Sequence, residues 1–256
     1  MDLIKILLDR ISDGQVVDVR MGLHWTAVAV EVDGLIRCGL ASTVNLRHAY
    51  HPKEPDIPHA GFLLSLSGRE LAGFATSSNT LASSIGMAAI NALLPQPESD
   101  QFRTINAEIV IAEHGQGKNV AIVGRFPFVS RLRNEVKNLF VIEMDPQPGE
   151  YSPEAAQEIL PQVDVIAITA MTLINKTFDD IIRFCPPSAL KLMLGPSTPL
   201  SPVMFDYGLD LISGSIVEEV DLVLNSISQG ASFKQIHMAG VRLVTMAGHR
   251  LMENRD

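Results

Sequence analysis

Five short, largely apolar runs in the second half of the chain do most to limit its fold. They are Val120 to Val123, Phe140 to Ile142, Val165 to Thr169, Leu190 to Leu194 and Leu209 to Ile212, with helix-like segments between them. A strand covered on both faces has no polar side to alternate with, so a parallel sheet flanked by helices reads as runs of this kind. Their recurrence predicts a Rossmann-like α/β unit. In open sheets of this class ligands bind beyond the carboxyl ends of the strands, which directs attention to the residues just after each run.

The first half reads differently. Leu3, Ile4, Leu7, Leu8 and Ile11 form one helical stripe, ended by Ser12-Asp13-Gly14. Val16 to Met21, Trp25 to Val32 and Leu35 to Ala41 read as strands, the last two joined by Asp33-Gly34, a strong hairpin signal. Asn45 to Pro58 reads as a surface loop. Ser67-Gly68-Arg69-Glu70 is a capping box, and Ser77-Ser78-Asn79 caps a helix to Leu94 whose Gly86, Ala88 and Ala89 permit close backbone packing. Gln96 to Asp100 resembles a linker, so the boundary is placed near residue 100, with Ile105 to Ile111 as a strand leading onward. With 46% hydrophobic residues the chain can bury one large core or two modest ones, and the change of pattern favours two.

A formal charge of -9 argues against a nucleic-acid partner. No stretch approaches the roughly 18 apolar residues of a membrane helix, and the acids near the N-terminus are unlike a signal peptide, so a cytoplasmic protein without membrane attachment is expected. Cys38 and Cys185 are isolated and read as small buried side chains. The apolar content leaves room for a homodimer.

Only Gly124 remains of a Gly-x-Gly-x-x-Gly fingerprint, because Phe126 and Val129 stand at the other glycine positions. Those side chains would shield the backbone from a pyrophosphate, which argues against a standard NAD or FAD site. The loop could hold a smaller anion or a planar ring, with Arg125 as charge and Phe126 as stacking face; solvated charge and core aromatic are equally good readings. Glu143 and Asp145 lie about 20 residues on, where an acid binds ribose in nucleoside sites and elsewhere merely caps a turn. Thr169, Thr172, Asn175 and Thr177 gather at a strand-to-helix junction, with Thr177 also a candidate N-cap. Gly195-Pro196-Ser197-Thr198-Pro199 is a stiff loop of hydroxyls, and Ser213-Gly214-Ser215 reads as a further turn on the same edge. His48, His51, His59, Glu54 and Asp56 share a loop, but their spacing matches no closed metal site, so no metal ligand is assigned. Neither Gly-x-Ser-x-Gly nor a Walker loop occurs.

Gly22-Leu23-His24-Trp25-Thr26-Ala27-Val28, Ser78-Asn79, Ser84-Ile85-Gly86-Met87-Ala88-Ala89-Ile90-Asn91-Ala92, Val123-Gly124-Arg125-Phe126-Pro127 and Gly195-Pro196-Ser197-Thr198-Pro199-Leu200 together resemble the putative heavy-metal chelation family. The resemblance spans nearly the whole chain. It implies an α/β protein, with an enolase N-terminal-like α+β domain over residues 1–100 and a Rossmann-like domain over residues 101–256. It further implies a small-molecule site in the interdomain cleft and condensation or hydrolysis of a compound related to pterins, flavins or siderophores. Carried onto matching positions, that cleft takes Asn79, Arg125, Phe126, Thr172, Asn175, Ser197 and Thr198. The family often has His at the position of Arg125 and Gly at that of Ser197, so an imidazole there is no indispensable acid or base. No cofactor is named. A small polar or heterocyclic ligand is expected, with a non-catalytic carrier of a metal chelate and an S-adenosylmethionine-type methyltransferase as the alternatives.

Overall fold

The computed structural model describes residues 3–44, 55–103 and 106–252. His48, His51 and Glu54 lie outside the described residues. Helix α1 (Leu3–Arg10) buries Leu3, Ile4 and Leu7, as the stripe predicts. Strands β1 (Gln15–Met21), β2 (Trp25–Val32) and β3 (Leu35–Ser42) form an antiparallel sheet in that order. Asp33 at φ 52° and Gly34 at φ 76° make the two-residue turn between β2 and β3, matching the right-handed twist of the flanking strands.

Helix α2 (Gly68–Gly73) starts with the predicted capping box: Ser67 Oγ accepts from the Glu70 amide, and the Glu70 carboxylate accepts from the Ser67 amide. Helix α3 (Thr80–Leu93) buries 12 of its 14 residues, so it has no solvent face and sits at the centre of the molecule. Small residues allow this. A Cβ added at Gly86 would lie 1.9 Å from the Ala75 amide nitrogen, and one at Gly39 of β3 would lie 2.1 Å from the Ala88 carbonyl oxygen.

The rest of the chain runs α4 (Ala107–Gly115), β4 (Asn119–Val123), α5 (Val129–Leu132), β5 (Asn138–Ile142), α6 (Ala156–Ile159), β6 (Val165–Thr169), α7 (Met171–Ile174), α8 (Phe178–Phe184) and β7 (Leu190–Leu194). It continues through α9 (Val203–Asp206), β8 (Leu211–Val217), α10 (Val220–Ser228), α11 (Phe233–Met238), β9 (Val241–Ala247) and α12 (His249–Met252). The second sheet is ordered β5-β4-β6-β7-β8-β9, parallel up to β8, with β9 antiparallel at its edge. Successive strand residues alternate between its two covered faces. Val120, Ile122, Val165 and Ala167 pack with Val110 and Ile111 of α4, while Ala121, Val123, Ile166 and Ile168 join the larger core.

Two expectations are corrected. Of the segment Ile105 to Ile111, the described residues 106–111 are not a strand: Asn106 accepts from the Glu108 amide at 2.9 Å and caps α4, whose Val110 and Ile111 cover the sheet. Ser213-Gly214-Ser215 is no turn, since these residues pair in β8 with Thr245, Val244 and Leu243 of β9. The largest apolar cluster draws on both sheets, from Leu3 to Met246. Polar bonds close the junction beside it. Lys176 Nζ donates to the Ala75 carbonyl and, at 2.7 Å, to Ser83 Oγ. Asn91 Nδ2 donates to the Leu40 carbonyl at 2.9 Å and the Ser197 carbonyl at 3.1 Å, and the Ser42 amide donates to Ser197 Oγ at 2.8 Å.

Gly86→Ala provides a test in which two effects have opposite signs. Helix propensity alone would make this change stabilising by about 1 kcal/mol. The contact with the Ala75 backbone predicts instead a loss of about 3 kcal/mol or more in chemical denaturation, because overpacking against main chain cannot relax through a rotamer.

Candidate functional site

Strand β4 pairs in parallel with both β5 and β6, so the chain leaves β4 in one direction along the sheet and returns across it to continue in the other. The crossovers diverge there and leave a crevice at the carboxyl ends. A cavity of about 610 Å³ occupies this point, lined by Gly124 and Arg125 after β4, Glu143 and Met144 after β5, and Thr169, Thr172 and Asn175 at and after the end of β6. Ile142, Ala156, Ile181 and Phe184 supply apolar wall, and Glu154 and Asp180 add two further carboxylates. Among the described residues its lining comes wholly from residues 123–184, so this cavity belongs to the second sheet's edge and not to a cleft shared with the first.

Local chemistry accounts for each predicted residue. Gly124 has φ 102°, and a Cβ there would lie 2.8 Å from the Thr169 side chain. Both the left-handed backbone and the approach of β6 therefore demand glycine. Thr172 is buried and donates to the Thr169 carbonyl at 2.7 Å, which closes the first turn of α7. Thr177 does not cap α8 with its side chain; its hydroxyl donates to Asn175 Oδ1 at 2.7 Å. That bond orients the carboxamide and leaves Asn175 Nδ2 as its donor. Glu143 lines the cavity, whereas Asp145 contributes its carbonyl to Arg125 at 3.2 Å.

Other predicted residues lie elsewhere. Phe126 stacks on Phe128 with centroids 5.2 Å apart and packs with the cluster on the opposite face of the sheet. Asn79 caps α3, accepting from the Leu81 amide at 2.9 Å and donating to Asp56 Oδ1 at 3.0 Å. Ser197 is consumed by the junction bonds to β3 and Asn91. Thr198 lines a second cavity of about 380 Å³, which does lie between the two sheets, beside β3, the end of α3 and β8. The site residues thus divide between two cavities, a cap, a clasp and a core. Sequence reading missed Asp180 and Glu154, whose positions in α8 and before α6 look like ordinary first-turn acids.

Charge around the larger cavity is dominated by an ion pair. Arg125 Nη2 lies 2.6 Å from Glu150 Oε2, and its Nε donates to Glu150 Oε1 at 3.2 Å, a two-point contact that neutralises the arginine. No group of three or more His, Cys, Asp and Glu side chains among the described residues is arranged to hold a metal ion. After β4 the helix α5 is a single turn with no side-chain cap, and so offers no phosphate cradle of the dinucleotide kind.

Hydrogen bonds from Arg125 and from the Gln147 amide hold the Glu150 carboxyl below its usual value of 4.5. A group with a depressed folded value contributes stability that is present above its unfolded value and is lost as pH falls through the folded one. The Arg125 contact therefore survives to lower pH than an ordinary glutamate would allow and is lost as pH falls through the depressed value. In an NMR titration the Glu150 midpoint lies under 4.5 and moves back toward it in Arg125→Ala; an unmoved midpoint would contradict the pairing.

Two family models match the chain, over residues 107–246 and residues 4–94, and both carry the description "putative heavy-metal chelation". The crystal structure of a protein of unknown function from the DUF364 family of Desulfitobacterium hafniense DCB-2 is similar, with a TM-score of 0.79 at 28% identity over 96% of this chain and 97% of that one. Another DUF364 structure, from Pyrococcus horikoshii, shares the fold with a TM-score of 0.79 at 23% identity over 96% and 98%. An uncharacterized protein of Methanocaldococcus jannaschii is 25% identical over 227 residues, 86% of each chain. The fold and both matched segments agree: the chain belongs to the DUF364 family described as putative heavy-metal chelation.

Proposed function

We propose that this protein binds a small heterocyclic metabolite, free or as a metal chelate, in the cavity at the carboxyl ends of β4, β5 and β6. The observation that carries this reading is the cavity of about 610 Å³ at the reversal of strand order, a volume suited to a compact ligand. Arg125 is held by Glu150, while Glu143, Glu154 and Asp180 face the same space. An anionic ligand would have to draw Arg125 away from its partner and approach three carboxylates. A neutral or cationic ring with N–H or N–H⁺ donors instead finds both acceptors and the apolar Ile142, Ile181 and Phe184 in the same lining. A metal would then arrive wrapped in its organic ligand, with the protein reading the ligand.

The same geometry supports a hydrolytic or condensing role. Glu143 accepts a 3.1 Å hydrogen bond from the Met144 amide through one oxygen, and its other oxygen is available to a proton-bearing ligand atom or water. Capture without turnover needs only the complementary donors and acceptors, and turnover needs Glu143 as base in addition.

Calorimetry with riboflavin, pterin and a ferric hydroxamate chelate tests the reading. At least one should bind, with Glu143→Gln and Asn175→Ala each weakening it about tenfold, the effect of one lost hydrogen bond to a buried or charged group. Phe126→Leu, on the opposite face, should leave affinity unchanged. Absence of binding by all three, or equal affinity in the Glu143 and Asn175 variants, would contradict it.

A further inference from the structure

We infer that Lys176 is a positioning residue: its ammonium group ties the loop that carries Asn175 to buried main chain beside α3, and so fixes the Asn175 carboxamide at the cavity beyond β4, β5 and β6. The inference rests on the reading of that cavity as a ligand site. It adds a contribution from the first half of the chain, which supplies none of the lining.

Asn175 and Thr177 line the cavity, and the bonds between them are local. Thr177 Oγ1 donates to Asn175 Oδ1 at 2.7 Å, and the Thr177 amide donates to the Thr172 carbonyl at 3.0 Å. Helix α7 before them is a single turn of four residues, too short to hold its own end. Its last carbonyls, and the loop they lead into, need partners from elsewhere. The residue between Asn175 and Thr177 provides them. Lys176 Nζ donates to the Leu173 carbonyl at 3.1 Å, within α7, and also to Ser83 Oγ at 2.7 Å and to the Ala75 carbonyl. Ala75 and Ser83 are fully buried, and Ala75 belongs to the main chain against which Gly86 packs. The ammonium is thus anchored to close-packed backbone that has no room to shift.

Backbone conformation marks the same residue. Lys176 has φ 65°, in the left-handed region, where a Cβ carries a steric cost. Glycine would take that conformation more readily, yet would bring no donor to Ala75 or Ser83. The strain is tolerated where the surroundings over-determine the residue, and here three bonds from one amine do so. Asn175 and Thr177 stay at the cavity while the side chain between them leaves it for α3.

NMR of the full chain without ligand tests the inference in two variants that keep Asn175 and Thr177. Lys176→Met retains a stem of similar length and removes the donors; Ser83→Ala, in α3, removes one acceptor and alters nothing in the loop. In both, the order parameter of the Asn175 side-chain amide should fall. The Thr177 amide should exchange about tenfold faster in Lys176→Met and by a smaller factor in Ser83→Ala. The Gly124 amide, bonded to the Ile142 carbonyl at 2.9 Å on the same sheet edge, should keep its rate. A lysine that merely joins the two halves would lower the denaturation midpoint and leave the Asn175 and Thr177 signals as in the native protein. That result overturns the inference, as does equal acceleration at Gly124. If Lys176→Met does not fold, Ser83→Ala decides alone. Calorimetry with riboflavin, pterin and the ferric hydroxamate chelate separates this inference from the reading beneath it. Whichever binds the native protein should bind Lys176→Met about tenfold more weakly, and unchanged affinity would overturn the positioning role alone. Absence of binding by the native protein would overturn the ligand reading, while the ligand-free signals still decide whether Lys176 orders Asn175.

Discussion

The contact on which the rest of this structure depends is the approach of α3 to main chain on two sides. Gly86 brings it against the backbone at Ala75, and Gly39 brings β3 against it at Ala88 and Ala92. Packing at that distance leaves no room for side chains, so the helix becomes a spacer of fixed thickness between the first sheet and the segment around Ala75. Dispersion and burial favour such proximity only where both surfaces are small and regular. Polar bonds then fix the position along the helix: Lys176 with Ser83 near one end, and Asn91 with the Leu40 and Ser197 carbonyls near the other. The largest apolar cluster draws on both sheets around this spacer.

From that frame each cavity inherits its walls. The second sheet reverses its strand order at β4, and the diverging connections cannot fill the space beyond it. Gly124 lets β4 end against Thr169 without obstruction, and the Arg125–Glu150 pair ties the loops after β4 and β5 along one margin. The other cavity arises where β3 meets β8 past the end of α3, beside the clasp that joins them. Asn91 serves that clasp with its nitrogen.

Much of the fold was legible in the sequence because it rests on local rules. Asp33-Gly34, the Ser67-Glu70 box, the Asn79 cap and the apolar strands each announce themselves within a few residues. The misreadings differ from these in kind, because β-branched apolar residues suit a buried helix as well as a strand. Ile109, Val110 and Ile111 look extended until the Asn106 cap and the cover they give the sheet are considered. Strand β9 alternates only loosely and gives little signal, and without it Ser213-Gly214-Ser215 reads as a turn. Within the candidate site, residues at strand ends are legible because position along the sheet follows from the run itself. The direction of a side chain does not: Phe126 follows Arg125 by one residue and faces the other core. Asp180 and Glu154 come from segments that pass over the edge, and no local signal marks them.

The central claim is that the reversal of strand order at β4 creates a ligand site. An electron-density map from crystals of the protein isolated from its own cells, without added ligand, tests this most directly. The account predicts a compact molecule in contact with Glu143 and Asn175, opposite Ile181 and Phe184, with the Arg125–Glu150 pair intact. Density for water alone in that space, or an organic molecule bound elsewhere with this cavity empty, would contradict it.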